Sequence, residues 1–159
     1  MSDLCTPVRG FVGEKVGLYY SLQASTTSVE NLVFNRLGML TEKASELTIG
    51  DIDVTGDTSP ENYFEFISGR KEGTISGTYV KMGTDIEGQR EFERSVEVGN
   101  ANDCGTSSVW FQRLYPDGTK KIGYYMVNSL SESQPTNDKV TVAFSAKLSG
   151  GLTIIDPTP

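Results

Sequence analysis

Asp51-Ile52-Asp53-Val54-Thr55 is the stretch whose residue types and spacing come closest to a catalytic motif. Phosphoaspartyl phosphatases use D-x-D-x-T, in which the first Asp attacks phosphorus and the second handles the proton. That chemistry needs the tip of a parallel strand in an α/β scaffold with several helices. The sequence pattern predicts many strands and one helix, which does not fit such a scaffold. We therefore interpret the stretch as a polar strand end with solvated carboxylates.

The same residues, extended to Gly56, also resemble the first half of a calcium-binding loop, with oxygen ligands at positions one, three and five. Position twelve is Asn62 instead of a bidentate Glu, Pro60 interrupts the loop, and flanking helices are not evident. We therefore predict no metal or cofactor site. A weak structural ion at Asp51 and Asp53 stays open as an alternative.

Other candidate sites are weaker. Gly69, Gly73 and Gly77 are spaced by four, but no Gly-Lys-Ser/Thr follows them, and we interpret them as glycines that shape a turn and a bulge. The chain has no histidine, so Cys104 has no histidine to activate it, and the commonest general base and metal ligand are missing. We predict that the protein is not an enzyme and has no catalytic residues.

Composition limits the function classes further. The 159 residues carry a formal net charge of -7, and an acidic chain is poorly suited to gripping nucleic acid phosphates. No apolar run approaches the ~20 residues of a membrane-spanning helix, and residues 1–5 do not resemble a secretory signal. We therefore expect a cytoplasmic chain in which Cys5 and Cys104 are free thiols, with a disulfide between them as the alternative.

Alternating apolar residues predict a mostly β domain. Pro116-Asp117-Gly118 predicts a turn between two strands of a hairpin, and residues 131–138 are polar, which indicates a loop. The predicted strands comprise Val16–Leu22, Thr74–Val80, Val109–Tyr115, Thr119–Val127 with Ile122, Tyr124 and Met126 on one face, and a last strand with Val140, Val142, Phe144, Ala146 and Leu148 on one face.

One helix is predicted from Asp85 to about Val98. Thr84 and Glu87 have the spacing of a capping box, and opposite charges recur three residues apart. Phe92 and Val96 form a narrow apolar stripe, so we expect this charged helix on the rim of the sheet. The same residues also alternate as a strand would, which leaves a strand as the alternative.

The remaining segments are interpreted as parts outside the core. Residues 38–60 predict a long, partly extended loop between two strands, and such loops are usually functional or mobile. We predict that residues 1–7 and 156–159 form terminal arms. The whole chain is expected to form a single domain.

The order of these features resembles the major tail protein, or tail-tube, family of long-tailed (siphovirus-type) bacteriophages. The matching path runs through Asp53-Val54-Thr55, the aromatic–glycine stretch Tyr63–Gly69, and Gly73-Thr74-Ile75-Ser76-Gly77. The charged helix, the hairpin and a final strand that ends at Phe144–Gly150 follow. The resemblance covers about Leu4 to Ile155.

The resemblance implies a β-sandwich, barrel-forming fold with one flanking helix, whose subunits form stacked rings, usually hexameric, in the virion tail. It implies contacts with other copies, a tape-measure protein, and tail terminator and distal tail proteins. DNA would pass through the lumen without specific binding. Since open sheet edges invite pairing, ring formation between subunits also agrees with the strand-rich sequence.

From the net charge we predict an acidic lumen that repels DNA phosphates. Three alternatives stay open: a tube protein of a contractile tail or type VI secretion system, a monomeric β-sandwich module that binds carbohydrate or adheres to surfaces, and an enzyme of unrecognised type.

Overall fold

The computed structural model describes residues 15–57, 63–83 and 88–157. Within those ranges the chain forms seven strands and one α-helix, α1, Gln89–Glu97. Short 3-10 turns lie at Val29–Asn31 and Ala101–Asp103. The strands are β1 Gly17–Ser21, β2 Asn35–Arg36, β3 Leu40–Asp53, β4 Phe66–Val80, β5 Ser108–Leu114, β6 Lys120–Ser133 and β7 Thr141–Ile155.

All seven strands belong to one antiparallel sheet with the order β2-β1-β5-β6-β7-β4-β3. The sheet curls until its two ends meet. The Lys43 ammonium on β3 donates to the Val16 carbonyl just before β1, and Arg113 on β5 donates to the Ser45 hydroxyl on β3. The predicted mostly β fold with one flanking helix is confirmed.

The core lies inside the curl, and Phe92 of α1 is at its centre. Phe92 is fully buried, and its ring centroid lies 5.3 Å from that of Phe144 and 5.6 Å from that of Tyr20. The helix therefore covers the core. Our expectation that α1 lies on the rim was wrong, because one large ring at the middle of the apolar stripe is enough to anchor a charged helix over the sheet.

The helix begins later than predicted, at Gln89 instead of Asp85, and Thr84 and Glu87 of the expected capping box lie outside the described residues. Gly88 precedes it with φ 73°, and its carbonyl accepts a 2.7 Å hydrogen bond from the Tyr20 hydroxyl. The buried Gln89 amide donates to the carbonyl of Val80 and accepts from the backbone N–H of Met82. Tertiary hydrogen bonds thus determine where the helix starts.

The hairpin at Pro116-Asp117-Gly118 is confirmed: Gly118 has φ 97° and donates to the Tyr115 carbonyl at 3.0 Å. The alternation at the end of the chain is also confirmed, with Val142, Phe144 and Ala146 buried. The last strand is longer than expected, because the start of β6 pairs with residues up to Ile155.

The side chains of β6 that face the core cluster are not the ones that the sequence pattern predicts. Trp110 lies 5.3 Å from Tyr124, whereas Phe111 lies 5.6 Å from the core residue Tyr125. The predicted face of Ile122, Tyr124 and Met126 is therefore the one turned away from the core cluster. The predicted loop 131–138 is also shorter than expected, because β6 continues to Ser133.

The buried hydroxyl of Tyr79 gives a prediction for alkaline stability. It donates to Glu93 at 2.8 Å, and Glu93 also pairs with Lys81 at 3.2 Å. Burial, and then the hydrogen bond and charge of Glu93, raise the pKa of Tyr79 far above its ordinary value. Above about pH 10 the unfolded chain loses this proton while the folded chain keeps it, so stability is complete below that pH and falls above it.

Replacement Tyr79→Phe should cost about 1 kcal/mol at pH 7, where one hydrogen bond is lost. Since phenylalanine does not ionise, the variant should lose less stability than the wild type between pH 9 and 11. The difference in slope is at most about 1.4 kcal/mol per pH unit. Urea unfolding at pH 7, 9 and 11 measures it, and parallel pH profiles would contradict the assignment.

Candidate assembly interface

The long hairpin of β3 and β4 extends well beyond the core. Strands β3 and β4 are paired along their length, from the partners Leu40 and Tyr79 at one end to Asp53 and Phe66 at the other. Buried residues alternate with less buried ones only in the inner half of β4, from Gly73 onward. We predicted residues 38–60 as a long loop. Leu40–Asp53 is instead a 14-residue strand with two register shifts, since pairing with β4 supplies its backbone hydrogen bonds. We call the outer half, residues 47–57 and 63–73, the β3–β4 arm.

The β3–β4 arm carries large apolar side chains on both of its faces. Ile52 and Ile67 are cross-strand partners, so they share one face, and the neighbouring pair Asp53–Phe66 lies on the other. The exposed fractions run from 46% at Val54 to 74% at Phe64. The exposed apolar residues of the arm are Leu47, Ile49, Ile52, Val54, Tyr63, Phe64, Phe66 and Ile67.

A two-stranded hairpin without a covered face is marginally stable in water. Contiguous apolar surface on a projecting element also marks a binding site for another macromolecule. The β3–β4 arm therefore has the features of a docking element, and its apolar side chains would be covered when a partner binds.

The outer edge of β3 adds a second means of association. This strand is last in the sheet order, so within the described residues its second backbone edge pairs with no strand. Long open edges pair readily with a strand of another chain. At the opposite end of the sheet, β2 has only two residues. The long β3 edge is thus the better template for pairing between chains.

The tip of the arm is acidic and held by its own hydrogen bonds. Its described residues, 51–57 and 63–69, contain Asp51, Asp53, Asp57 and Glu65 and no Lys or Arg. The Asp53 carboxylate accepts from the Thr55 backbone N–H at 2.9 Å, and hydrogen bonds from Thr55 lower the pKa of Asp53. Asp53 is therefore ionised at neutral pH and displayed at a defined place.

The structure places the two candidate catalytic carboxylates on this arm. Asp51 and Asp53 lie exposed on β3, which is antiparallel to its neighbour, and not at the end of a parallel strand as phosphoaspartyl chemistry needs. Their extended backbone does not wrap around a cation. No group of three or more His, Cys, Asp or Glu in the described part of the chain is arranged to hold a metal ion, and Asn62 lies outside it.

The three glycines spaced by four all lie in β4, so they do not form a phosphate-binding loop. A Cβ atom at Gly73 would lie 3.0 Å from Leu148, and one at Gly77 would lie 3.0 Å from the Phe144 ring. These two glycines let β7 side chains pack closely against β4. Gly69 lies at the irregularity of the β3–β4 pairing, where a bulge was expected.

Cys104 is exposed at a turn and carries a positive φ of 57°, whereas Cys5 lies outside the described residues. Across residues 15–57, 63–83 and 88–157, no helix is long and apolar enough to cross a membrane.

Comparison with known proteins matches no protein-family model and no curated protein. Solved structures do match. A chain in the tail of an empty gene transfer agent (GTA) particle, determined with C6 symmetry, has a TM-score of 0.67 and 19% identity over 92% of this chain and 99% of that chain. The SPP1 tail tube aligns with a TM-score of 0.66 and 13% identity over 94% of this chain and 81% of that chain.

A chain in the baseplate of the anti-feeding prophage aligns with a TM-score of 0.54 and 8% identity over 98% of both chains. At these identities the likeness shows the fold alone. The chain has the fold of tail-tube subunits over nearly its whole length, so the expected tail-tube fold is confirmed.

Proposed function

We propose that this protein is a structural subunit of a phage tail tube, which polymerises into stacked hexameric rings. The observation that carries the proposal is the β3–β4 arm, which holds apolar side chains on both faces and an open strand edge away from the core. A two-stranded hairpin with both faces exposed is only marginally stable in water. A tube assembled from many copies covers it.

The fold supports the same function. Its solved neighbours come from tail assemblies, and the GTA tail was determined with C6 symmetry. Contacts that join different patches on two copies generate rings when the rotation closes and filaments when it does not. A tube needs both kinds of contact, and the β3–β4 hairpin offers two means of making them: the apolar faces of the arm and the open backbone edge of β3.

The proposed partners follow from this assembly. Copies of the chain contact each other within and between rings, while a tape-measure protein and tail terminator or distal tail proteins contact the lumen and the ends. The tube is located in the virion tail after assembly in the host cytoplasm. DNA passes through the bore without specific binding, and the acidic lumen stays a prediction. The role is structural, without catalysis.

Negative-stain electron microscopy of the purified protein at rising concentration, with light scattering on the same samples, tests the proposal. We expect rings or hollow tubes whose end views average with sixfold symmetry. A strict monomer at every concentration would contradict the proposal and favour a β-sandwich binding module, which glycan screening would then examine. Tubes surrounded by a sheath in the native particle would indicate a contractile tail.

A further inference from the structure

A cleft lies where the two ends of the curled sheet meet. Its volume is about 190 Å³, somewhat more than the ~150 Å³ of an apolar protein cavity that holds benzene. The buried side chains of Leu18 and Ile75 give it an apolar wall. The cations Lys43 and Arg113 and the ring of Tyr115 also line it. The cleft thus combines an apolar surface with two positive charges.

The strand register places both cations on the core face of the sheet. Arg113 is the cross-strand partner of the buried Leu18. Ser45 is the partner of the buried Ile75, and Lys43 lies two residues before Ser45 on the same strand. Cross-strand partners share a face, as do residues two apart along a strand. The two cations therefore lie on the same side of the sheet as the apolar wall of the cleft.

A third cation adjoins the cleft on the same face. Lys121 of β6 is the cross-strand partner of Arg113, and its amine lies 5.4 Å from the centre of the Tyr115 ring. Like charges directly opposite each other destabilise a sheet. No Asp or Glu of the described residues lines the cleft, and both ion pairs found among those residues involve Lys81. The cations at the cleft therefore lack a carboxylate counter-charge within the described chain.

Neutral groups hold the two lining cations in place. Lys43 donates to the Val16 carbonyl, and Arg113 donates to the Ser45 hydroxyl. An ammonium has three donors and a guanidinium five, so both groups keep donors for a ligand. Burial, and then the positive charge of Arg36, lower the pKa of Lys43. A negative charge in the cleft would favour the ammonium form of this lysine.

We propose that this cleft binds a small carboxylate with a short apolar body. The carboxylate accepts hydrogen bonds from Lys43 and Arg113, and a guanidinium can donate two parallel ones to it. The apolar body lies against Leu18 and Ile75. Free phosphate fits less well, because the apolar wall leaves some of its charged oxygens without a hydrogen-bond partner. The carboxylate can belong to a free organic acid or to the last residue of a peptide.

Titration of the full chain with benzoate tests the proposal. Calorimetry measures the affinity, and the methyl signals of Leu18 and Ile75 in NMR spectra locate the bound molecule. We expect saturable binding that shifts the methyl signals of both residues. Benzyl alcohol lacks the charge and inorganic phosphate lacks the apolar body, so each should bind at least about tenfold more weakly than benzoate.

Single substitutions test the two cations. Lys43→Gln and Arg113→Gln each remove one positive charge and should weaken benzoate binding at least about tenfold, since each removes a charge-assisted hydrogen bond. Lys147→Gln is the matched control, because this lysine is exposed and lies outside the cleft, and it should bind benzoate as the wild type does. Circular dichroism checks that each variant folds. Lys43→Gln keeps the test decisive if Arg113→Gln does not fold.

A short peptide that ends in phenylalanine distinguishes the two sources of the carboxylate. It is compared as the free acid and as the C-terminal amide. Binding of the free acid alone would show that the cleft accepts the last residue of a chain. Binding of benzoate with neither form of the peptide would assign the cleft to free organic acids. Both results support a carboxylate site.

Other results would overturn the inference. They are no binding of benzoate, equal affinity for benzoate and benzyl alcohol, tighter binding of phosphate, and unchanged benzoate affinity in the folded Lys43 and Arg113 variants. Shifts confined to Ile49 and Ile52 would place benzoate on the exposed β3–β4 arm and would also overturn it. The cleft belongs to a single chain, so these outcomes leave the proposed tube function as it stands.

Discussion

A variant in which Ile52, Phe64 and Ile67 are all replaced by serine is expected to stay a folded monomer and to form no tubes. These side chains are 50%, 74% and 54% exposed in the isolated chain, so their removal takes almost nothing from the core. Substitutions at exposed positions usually change stability by no more than about 0.5 kcal/mol. The thermal unfolding of the variant should therefore match that of the wild type.

The effect of the three substitutions should instead appear as weaker assembly. Burying one large apolar side chain completely is worth about 1.5–3 kcal/mol. These three begin between half and three-quarters exposed, so only that part is gained. Together they should contribute roughly 3 kcal/mol to each contact between copies, which raises the concentration needed for assembly by more than about 100-fold. Electron microscopy and light scattering over a concentration series measure the change.

Val33→Ser/Val98→Ser is the matched control, because these valines are 70% and 81% exposed but lie outside the arm. This variant should form tubes as the wild type does. Tubes of the triple serine variant at wild-type concentrations would show that the apolar residues of the arm do not mediate assembly. If the control and the arm variant lost tube formation equally, the cause would be a general effect of surface polarity.

Replacing Phe92 by alanine should have the opposite effect and lower the free energy of unfolding strongly. The ring is fully buried and contacts four other rings, including Phe111 at 5.9 Å and Tyr79 at 6.5 Å. Truncating a buried phenylalanine costs about 3–5 kcal/mol, because apolar contacts are lost and a cavity remains. That cost is comparable with the whole stability of a small domain, about 5–15 kcal/mol.

Urea denaturation followed by circular dichroism measures this cost. Arg94→Ala is the control on the same helix: its side chain is exposed, so the free energy of unfolding should change by no more than about 0.5 kcal/mol. A cost below 1 kcal/mol for Phe92→Ala would contradict the central position of this ring. The Phe92 and arm variants thus separate folding from assembly.

Local patterns predicted the elements that have one buried face. Val142, Phe144 and Ala146 alternate with exposed residues, and the structure buries that face. The turn at Gly118 was also predictable, because a residue with positive φ favours glycine. The apolar stripe of α1 was visible in Phe92 and Val96, although its position over the core was not.

Sequence patterns failed where no face of an element is buried in the monomer. Residues 47–53 and 66–72 have apolar residues on both faces of the arm, so neither a period of two nor one of 3.6 stands out. Residues 47–53 were therefore predicted as part of a loop, and residues 66–72 were not predicted as a strand. These two segments form strands because they pair with each other along the hairpin. The end of β7 became strand for the same reason, through its pairing with β6.

By itself the sequence determined the fold class, the acidic charge, the final strand and the resemblance to tail-tube proteins, since each depends on composition or on neighbours in the chain. Only the tertiary structure decided that the arm projects from the core. It alone brought Lys43 and Arg113 together in one cleft, because their proximity depends on the closure of the sheet. Residues so far apart in the chain leave no periodic pattern, and curling of the sheet brings them together.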